Sequence, residues 1–207
     1  MSELAELVEL AQELQAFCIS RNWKFCFIGG LAVQHWSEPR VTTDVDLTLL
    51  TGFGHEESYI DEWLRHYKSR RPGAREFALH NRVLLLEAKS GLGIDVALGA
   101  LPFEEGAVKR ARNLEIVPGV RLRFCSPEDL IVMKAFANRD FDWRDIRMTI
   151  VRQGTTGLDW RYIRKQLKPL AELKEEPEIL SQLEALRKEY TRRESKEKKP
   201  SRRGKKS

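Results

Sequence analysis

Cysteine and histidine are scarce in this sequence, and neither is spaced as a metal-ligand set. The 207 residues contain three cysteines, Cys18, Cys26 and Cys125, and four histidines. An odd number of widely separated cysteines among apolar neighbours favours buried thiols in a reducing compartment over a disulfide framework. We therefore expect no disulfide bond, no zinc site and no catalytic histidine.

Long hydrophobic runs are absent as well. No apolar stretch approaches the roughly 20 residues that cross a bilayer, and the first residues lack the basic start and small-residue cleavage site of a secretory signal. We expect a cytoplasmic protein without membrane contact. With 42% hydrophobic residues and only 13 Gly and 8 Pro, the chain suits one globular domain with a helical annex.

Positive charge is concentrated at the C-terminal end. Residues 191–207 hold nine Lys and Arg against two Glu, and the rest of the chain holds 27 basic and 29 acidic side chains. A run of like charge without apolar residues stays solvated, so we predict a basic disordered tail over 191–207. Such a tail either only improves solubility or aids binding to RNA or DNA.

Hydrophobic periodicity divides the remainder into two regions. We predict a mixed α and β core over residues 1–125 and a C-terminal helical region over 126–190. Ser126 is the expected N-cap of the first helix in the second region, followed by Pro127. The fold class is therefore α+β, a mixed β-sheet with flanking helices plus a helical C-terminal part.

The most informative stretch is FIGGLAVQHWSEPRVTTDVDLTLL, which begins at Phe27. Gly29 and Gly30 lie where a short strand turns into a helix, and Asp44 and Asp46 stand two apart on the following strand. Alternation along a strand directs both carboxylates to one face. Asp95 lies on a later strand, between two apolar residues.

These residue types indicate chemistry on a nucleotide. Paired carboxylates repel one another and need a cation, and hard oxygen ligands favour Mg²⁺ or Mn²⁺. Two glycines at the start of a helix let backbone N–H groups approach a phosphate. A metal held beside a phosphate predicts in-line nucleotidyl transfer.

The chain resembles the nucleotidyltransferase superfamily that includes DNA polymerase beta, and within it the AbiEii-like toxins of type IV toxin–antitoxin systems. The resemblance covers roughly residues 22–150. It rests on the glycine pair, on Arg40, Thr42, Asp44 and Asp46 at alternate positions, on Asp95, and on the helix from Ser126 to Lys134 with Arg139, Asp142 and Asp145 after it. The commoner Gly-Ser of the superfamily is Gly-Gly here, which weakens assignment to the polymerase branch.

The resemblance implies a polymerase beta-like fold and a role for each matching position. Asp44, Asp46 and Asp95 would be the catalytic metal ligands, and Asp95 would also help to deprotonate the acceptor. Gly29 and Gly30 would hold the triphosphate, Arg40 and Lys134 would contact phosphate oxygens, Thr42 would support the turn and Asp145 would help to position the acceptor. The substrate would be an NTP such as ATP, the acceptor RNA such as a tRNA 3′ end, and an antitoxin would restrain the enzyme.

Other interpretations remain open at this point. The acceptor could be a small molecule, as in aminoglycoside or lincosamide adenylyltransferases, or the chain could be a nucleotide-binding regulatory protein without turnover. Lys134 could be an exposed helix lysine, and Arg139, Asp142 and Asp145 could form ion pairs on a helix surface.

Overall fold

The computed structural model describes residues 3–38 and 41–197, and the chain divides into two compact units at Leu130 and Ile131. This division lies a few residues beyond the expected one at 125. Leu130, on the first helix of the predicted helical region, is buried in the core of the N-terminal unit. That contact moves the division into the helix.

A seven-stranded mixed sheet forms the centre of the N-terminal unit, with the strand order β3-β4-β5-β2-β1-β7-β6. β2 pairs in parallel with β5 and β1 pairs in parallel with β7, whereas the other neighbours are antiparallel. The expected α+β class is confirmed. The strands are β1 (Phe25–Phe27), β2 (Asp44–Leu50), β3 (Lys68–Ser69), β4 (Val83–Glu87), β5 (Gly93–Gly99), β6 (Arg112–Val117) and β7 (Val120–Phe124).

Nine helices lie within the described residues, and most follow the predicted periodicity. They are α1 (Glu3–Ser20), α2 (Gly29–Trp36), α3 (Glu56–His66), α4 (Ala74–Asn81), α5 (Pro102–Arg110), α6 (Pro127–Ala137), α7 (Asp140–Gln153), α8 (Trp160–Leu173) and α9 (Glu178–Glu197). Strand β3, which has only two residues, and helix α4 were not expected.

Burial of one face of the sheet explains the position of β2. Val45, Leu47 and Leu49 are completely buried, while Asp44 and Asp46 on the opposite side remain partly exposed. Alternation of apolar and acidic residues therefore fixes which face of the strand meets the core.

The start of α6 is capped as the sequence predicts. The Ser126 hydroxyl accepts a hydrogen bond from the Asp129 backbone N–H at 3.1 Å and donates to Asp129 Oδ2 at 2.8 Å. Arg110 on α5 pairs with the same buried carboxylate at 2.6 Å. The cap therefore also ties the first turn of α6 to α5.

The C-terminal unit is helical, and α9 is longer than expected. Helix α8 buries Ile163, Leu167 and Leu170 on one face. The predicted disorder from residue 191 is wrong over 191–197, where α9 continues and Arg193 pairs with Glu189 at 2.5 Å. Acidic residues interleaved with the basic ones offset the repulsion there. Residues 198–207 lie outside the described part of the chain.

The thiols follow expectation, since Cys18, Cys26 and Cys125 are free and buried. Among the described helices, none is long and apolar enough to cross a membrane.

Candidate active site

Two adjacent parallel strands carry the three aspartates that the sequence indicates. Asp44 and Asp46 lie on β2, and Asp95 lies on β5 directly beside Asp46 in the strand register. Residues two apart on a strand, and residues paired across parallel strands, project from the same face of a sheet. All three are only partly buried. The structure therefore brings Asp44, Asp46 and Asp95 together on one accessible face.

An arginine that no sequence pattern identifies as a site residue lies between two of these aspartates. The Nη2 of Arg70 contacts Oδ1 of Asp95, and its Nη1 lies 3.7 Å from Oδ1 of Asp44. Arg70 follows the two-residue strand β3 and is one of four arginines between residues 70 and 82. Nothing in its local sequence separates it from the other three, and only the strand order identifies it.

Negative charge is crowded on this face. Burial and the charge of Asp46 raise the pKa of Asp95 to about 6, with a smaller contribution from Asp44, although Arg70 opposes the shift. The single guanidinium therefore does not offset all of the negative charge around Asp95.

The glycine turn approaches Asp46 closely. The backbone N–H of Gly30, in the first turn of α2, donates a hydrogen bond to Asp46 Oδ2 at 3.1 Å. Gly29 has a left-handed φ of +56°, and a Cβ at this position would overlap the Asp46 carboxylate. The turn therefore needs glycine for its backbone conformation and for space beside the aspartate.

Thr42 lies beside the same turn. A Cβ on Gly30 would overlap the Thr42 side chain, and the Thr42 hydroxyl donates to the Asp44 backbone carbonyl at 3.4 Å. Thr42 thus lies between the glycine turn and the start of β2. Its expected role in supporting the turn stays a prediction.

A divalent cation is the group that the sequence resemblance implies for this face. Within residues 3–38 and 41–197, no three Asp, Glu, His or Cys side chains are gathered as ligands around one point. Two of the carboxylates contact Arg70, and the third accepts from Gly30. Three carboxylates at neighbouring strand positions nevertheless supply the hard oxygen donors that Mg²⁺ and Mn²⁺ prefer. The residues fit such a cation in donor chemistry and strand placement.

Lys134 lies in a buried cluster of charges within the C-terminal unit. Its Nζ is 2.8 Å from both Asp142 Oδ1 and Asp145 Oδ2, and Arg139 contacts Asp142 at 2.6 Å. Lys134, Asp142 and Asp145 are 9%, 1% and 4% exposed. The alternative of an exposed lysine is therefore wrong for Lys134. The expected ion pair between Arg139 and Asp142 does form, and the Arg139 side chain is 73% exposed.

The hydrogen bonds in this cluster hold Asp142 ionised. Burial alone would raise the pKa of Asp142, but the hydrogen bonds and charges of Arg139 and Lys134 lower it below its ordinary value. Lys134 thus compensates buried carboxylates in its own unit. This arrangement supports a structural role for Lys134, and contact with a phosphate stays a prediction.

Arg40, expected to contact phosphate oxygens, lies outside the described residues.

The sequence matches one family over nearly its whole length. The model of the family described as "Nucleotidyltransferase of unknown function (DUF6036)" matches residues 3–195. Among curated proteins, none is similar enough in sequence to count as a relative.

The solved structures that are similar to this chain are distant in sequence. An antigenic nucleotidyltransferase-like protein from Paracoccidioides brasiliensis is 18% identical, with a TM-score of 0.51, over 87% of this chain and 93% of that one. The antibiotic-resistance factor ANT(2'')-Ia is 16% identical, with a TM-score of 0.45, over 93% and 97%. A lincomycin-bound lincosamide antibiotic adenylyltransferase is 12% identical, with a TM-score of 0.47, over 66% and 92%. The first of these supports the fold alone.

Proposed function

Since the chain belongs to this family of nucleotidyltransferases, we propose that it transfers a nucleoside monophosphate from an NTP to an acceptor hydroxyl on the face that carries Asp44, Asp46 and Asp95. The observation that carries the proposal is the register of β2 and β5, which places Asp46 beside Asp95 next to the glycine turn. A face with three carboxylates and a helix N-terminus combines the parts that phosphoryl chemistry needs.

In the proposed reaction, the acceptor oxygen attacks the α-phosphorus of the NTP. The bond from this phosphorus to the bridging oxygen breaks, and pyrophosphate leaves with the electron pair. Asp95 accepts the proton of the acceptor hydroxyl on a carboxylate oxygen, and Asp44 and Asp46 would hold a divalent cation together with Asp95. Such a cation, when bound, polarises the phosphoryl oxygens and neutralises the charge on the leaving pyrophosphate.

The protein contributes orientation at two points. The Gly30 N–H fixes one oxygen of Asp46, which limits the rotation of this carboxylate. The amides of the first turn of α2 and the positive end of its dipole offer donors to the triphosphate. Substitution at Gly29 would close this approach because of the overlap with Asp46.

We propose RNA as the acceptor, in keeping with the resemblance to AbiEii-like toxins. Support comes from the exposed face of α8, where basic side chains recur at helical spacing, namely Arg161, Arg164, Lys165 and Lys168. Residues 198–207 add six Lys and Arg without an acidic residue. Clustered positive charge of this kind attracts a phosphate backbone.

The test uses α-³²P-labelled forms of the four NTPs with total RNA, Mg²⁺ or Mn²⁺, and the full-length protein. We expect labelled RNA of tRNA size, and no label with the Asp46→Asn variant. Pyrophosphate release without labelled RNA, in the presence of a small hydroxylated acceptor, would instead indicate a small-molecule adenylyltransferase. Nucleotide binding without pyrophosphate release under any condition would indicate a regulatory protein and contradict the proposal.

A role as a toxin is tested separately, by the growth of a host that expresses the protein. Expression of the wild-type chain in a bacterial host should arrest growth, and the Asp46→Asn variant should not. A neutralising partner protein would restore growth. Equal growth with both forms would contradict the toxin assignment and leave the nucleotidyl transfer untouched.

A further inference from the structure

The position of Arg70 is set by the sheet. Its backbone N–H donates to the Leu85 carbonyl at 3.0 Å, which continues the pairing of β3 with β4. Leu85 is paired with Asp95 on β5, and Asp95 is paired with Asp46 on β2. The four residues therefore form one row across the sheet, and the side chain of Arg70 crosses β4 to reach Asp95.

Two separate nitrogens of Arg70 serve two carboxylates. Nη2 contacts Asp95 and Nη1 faces Asp44 at 3.7 Å, so the guanidinium bridges β5 and β2. A planar guanidinium with several donors suits such a bridge better than the point charge of a lysine. It occupies space between the carboxylates that a shared metal ion would also use.

Gly93 leaves room for this bridge. Gly93 is paired with Asp44 in the strand register, and a Cβ on it would overlap the Asp44 carboxylate and lie 3.1 Å from Arg70 Nη1. The absence of a side chain at this position therefore lets Arg70 and Asp44 approach one another over the β5 backbone.

We propose that Arg70 is the counter-cation of the aspartate face, the side of the sheet that carries Asp44, Asp46 and Asp95, in the metal-free protein. A divalent cation must displace Arg70 to bind there. The proposal rests on the metal-dependent reaction proposed above, because it concerns the same carboxylates. Arg70 is a positioning residue in this role. Its guanidinium holds the Asp95 and Asp44 carboxylates near one another before the metal arrives, at the cost of weaker metal binding.

The exposures of the three side chains make the displacement feasible. Arg70, Asp44 and Asp95 have side chains that are 31%, 40% and 31% exposed, so the guanidinium can turn into water without crossing a packed core. Exchange of one partly hydrated ion pair for another costs far less than leaving a buried charge without a partner.

The test compares Mn²⁺ binding by the purified full-length wild type and by Arg70→Gln, using isothermal titration calorimetry. Arg71→Gln is the matched control, because the same change is made one residue away on a side chain that stacks over Phe77, 4.3 Å from its ring centre. We expect Arg70→Gln to bind Mn²⁺ about fivefold more tightly, the scale of one partly screened ion pair, and Arg71→Gln to match the wild type.

Thermal denaturation supplies a readout independent of activity. In EDTA, Arg70→Gln should melt below the wild type because the carboxylates lose their counter-cation, and saturating Mn²⁺ should remove most of this difference. Unchanged or weaker Mn²⁺ binding by Arg70→Gln overturns the displacement. If the wild type nevertheless transfers nucleotide with Mn²⁺, the proposed function stands. If neither protein binds Mn²⁺ and the wild type transfers no nucleotide with it, the displacement and the metal-dependent reaction both fail.

Discussion

Gly29 lies against Asp46 so closely that even one methyl group on the glycine would overlap the carboxylate. The two residues are 17 positions apart in the chain, and the pairing of β1 with β2 brings them together. Because of this contact, a substitution at Gly29 tests both the geometry of the site and the stability of the fold.

Gly29→Ala should therefore damage activity beyond its effect on stability. Its left-handed φ and the overlap together should lower the free energy of unfolding by more than about 2 kcal/mol, and displacement of Asp46 should lower nucleotide transfer by about 10²-fold. Gly91→Ala is the control, because Gly91 has a φ of +86° with nothing within 4 Å of its added Cβ. Thermal denaturation and labelling are measured on both, and equal losses of activity would argue against a special role for the glycine turn.

Asp46→Asn removes one negative charge and retains an oxygen that can accept from Gly30. We expect nucleotide transfer to fall by at least about 10²-fold, the size of loss when one electrostatic contributor to a transition state is removed. The melting temperature should stay the same or rise, since repulsion with Asp95 is relieved. Asp61→Asn on α3 is the control, where the carboxylate pairs with Arg75 at 3.0 Å. Wild-type activity in Asp46→Asn would exclude the proposed site.

Lys134→Met should act mainly on stability. The change leaves Asp142 and Asp145 buried without the amine they share, and we expect a loss of about 3–5 kcal/mol in the free energy of unfolding. Lys168→Met is the matched control on α8, because Lys168 is exposed and 3.8 Å from Glu172. Chemical denaturation measures both. A Lys134→Met protein of wild-type stability without activity would favour the phosphate-binding role that the sequence resemblance implies.

Acid should weaken the N-terminal unit through Glu56. The hydrogen bond from Arg82 lowers the pKa of Glu56 in the folded protein. A lowered pKa gives stability that is fully present above the unfolded value of about 4.3 and is lost as the pH falls through the folded value. Between pH 5 and pH 3 the melting temperature of the wild type should fall more steeply than that of Glu56→Gln. Identical slopes in the two proteins would contradict this assignment.

Removal of residues 198–207 tests whether RNA is the acceptor. If RNA binds through phosphate contacts, loss of six basic residues should raise the KM for RNA by about 3- to 10-fold at low salt and reduce its salt dependence. Turnover at saturating RNA should not change. A full-length variant with those six residues replaced by Gln should behave like the truncation, and an unchanged KM in both would show that these residues do not contact the acceptor.

The local sequence predicted the three aspartates because each lies on a strand where it alternates with apolar residues or is flanked by them. Val45 and Leu47 specify the buried face of β2, and the opposite face of Asp44 and Asp46 follows directly. That Asp95 lies beside Asp46 was harder to predict from the sequence, because it depends on a parallel pairing between strands more than 40 residues apart. The resemblance to a known superfamily supplied that step.

Arg70 and the partners of Lys134 could not be predicted in the same way. Arg70 reaches the aspartates across β4, so its role depends on the strand order. Lys134 meets Asp142 and Asp145 because α6 packs against α7, and spacing along one helix cannot indicate a contact between two.

The order of the strands also constrains how the chain can be made. β1 is hydrogen-bonded on one side to β2, but its other side pairs with β7, which ends at Phe124. A ribosome-bound chain that has not yet released residues 120–124 therefore carries an apolar strand, Phe25–Phe27, with one unpaired edge. Unpaired edges of this kind recruit other chains. Messages truncated before the codon for Val120 should thus yield aggregation-prone fragments, even though every aspartate of the site has already been synthesised.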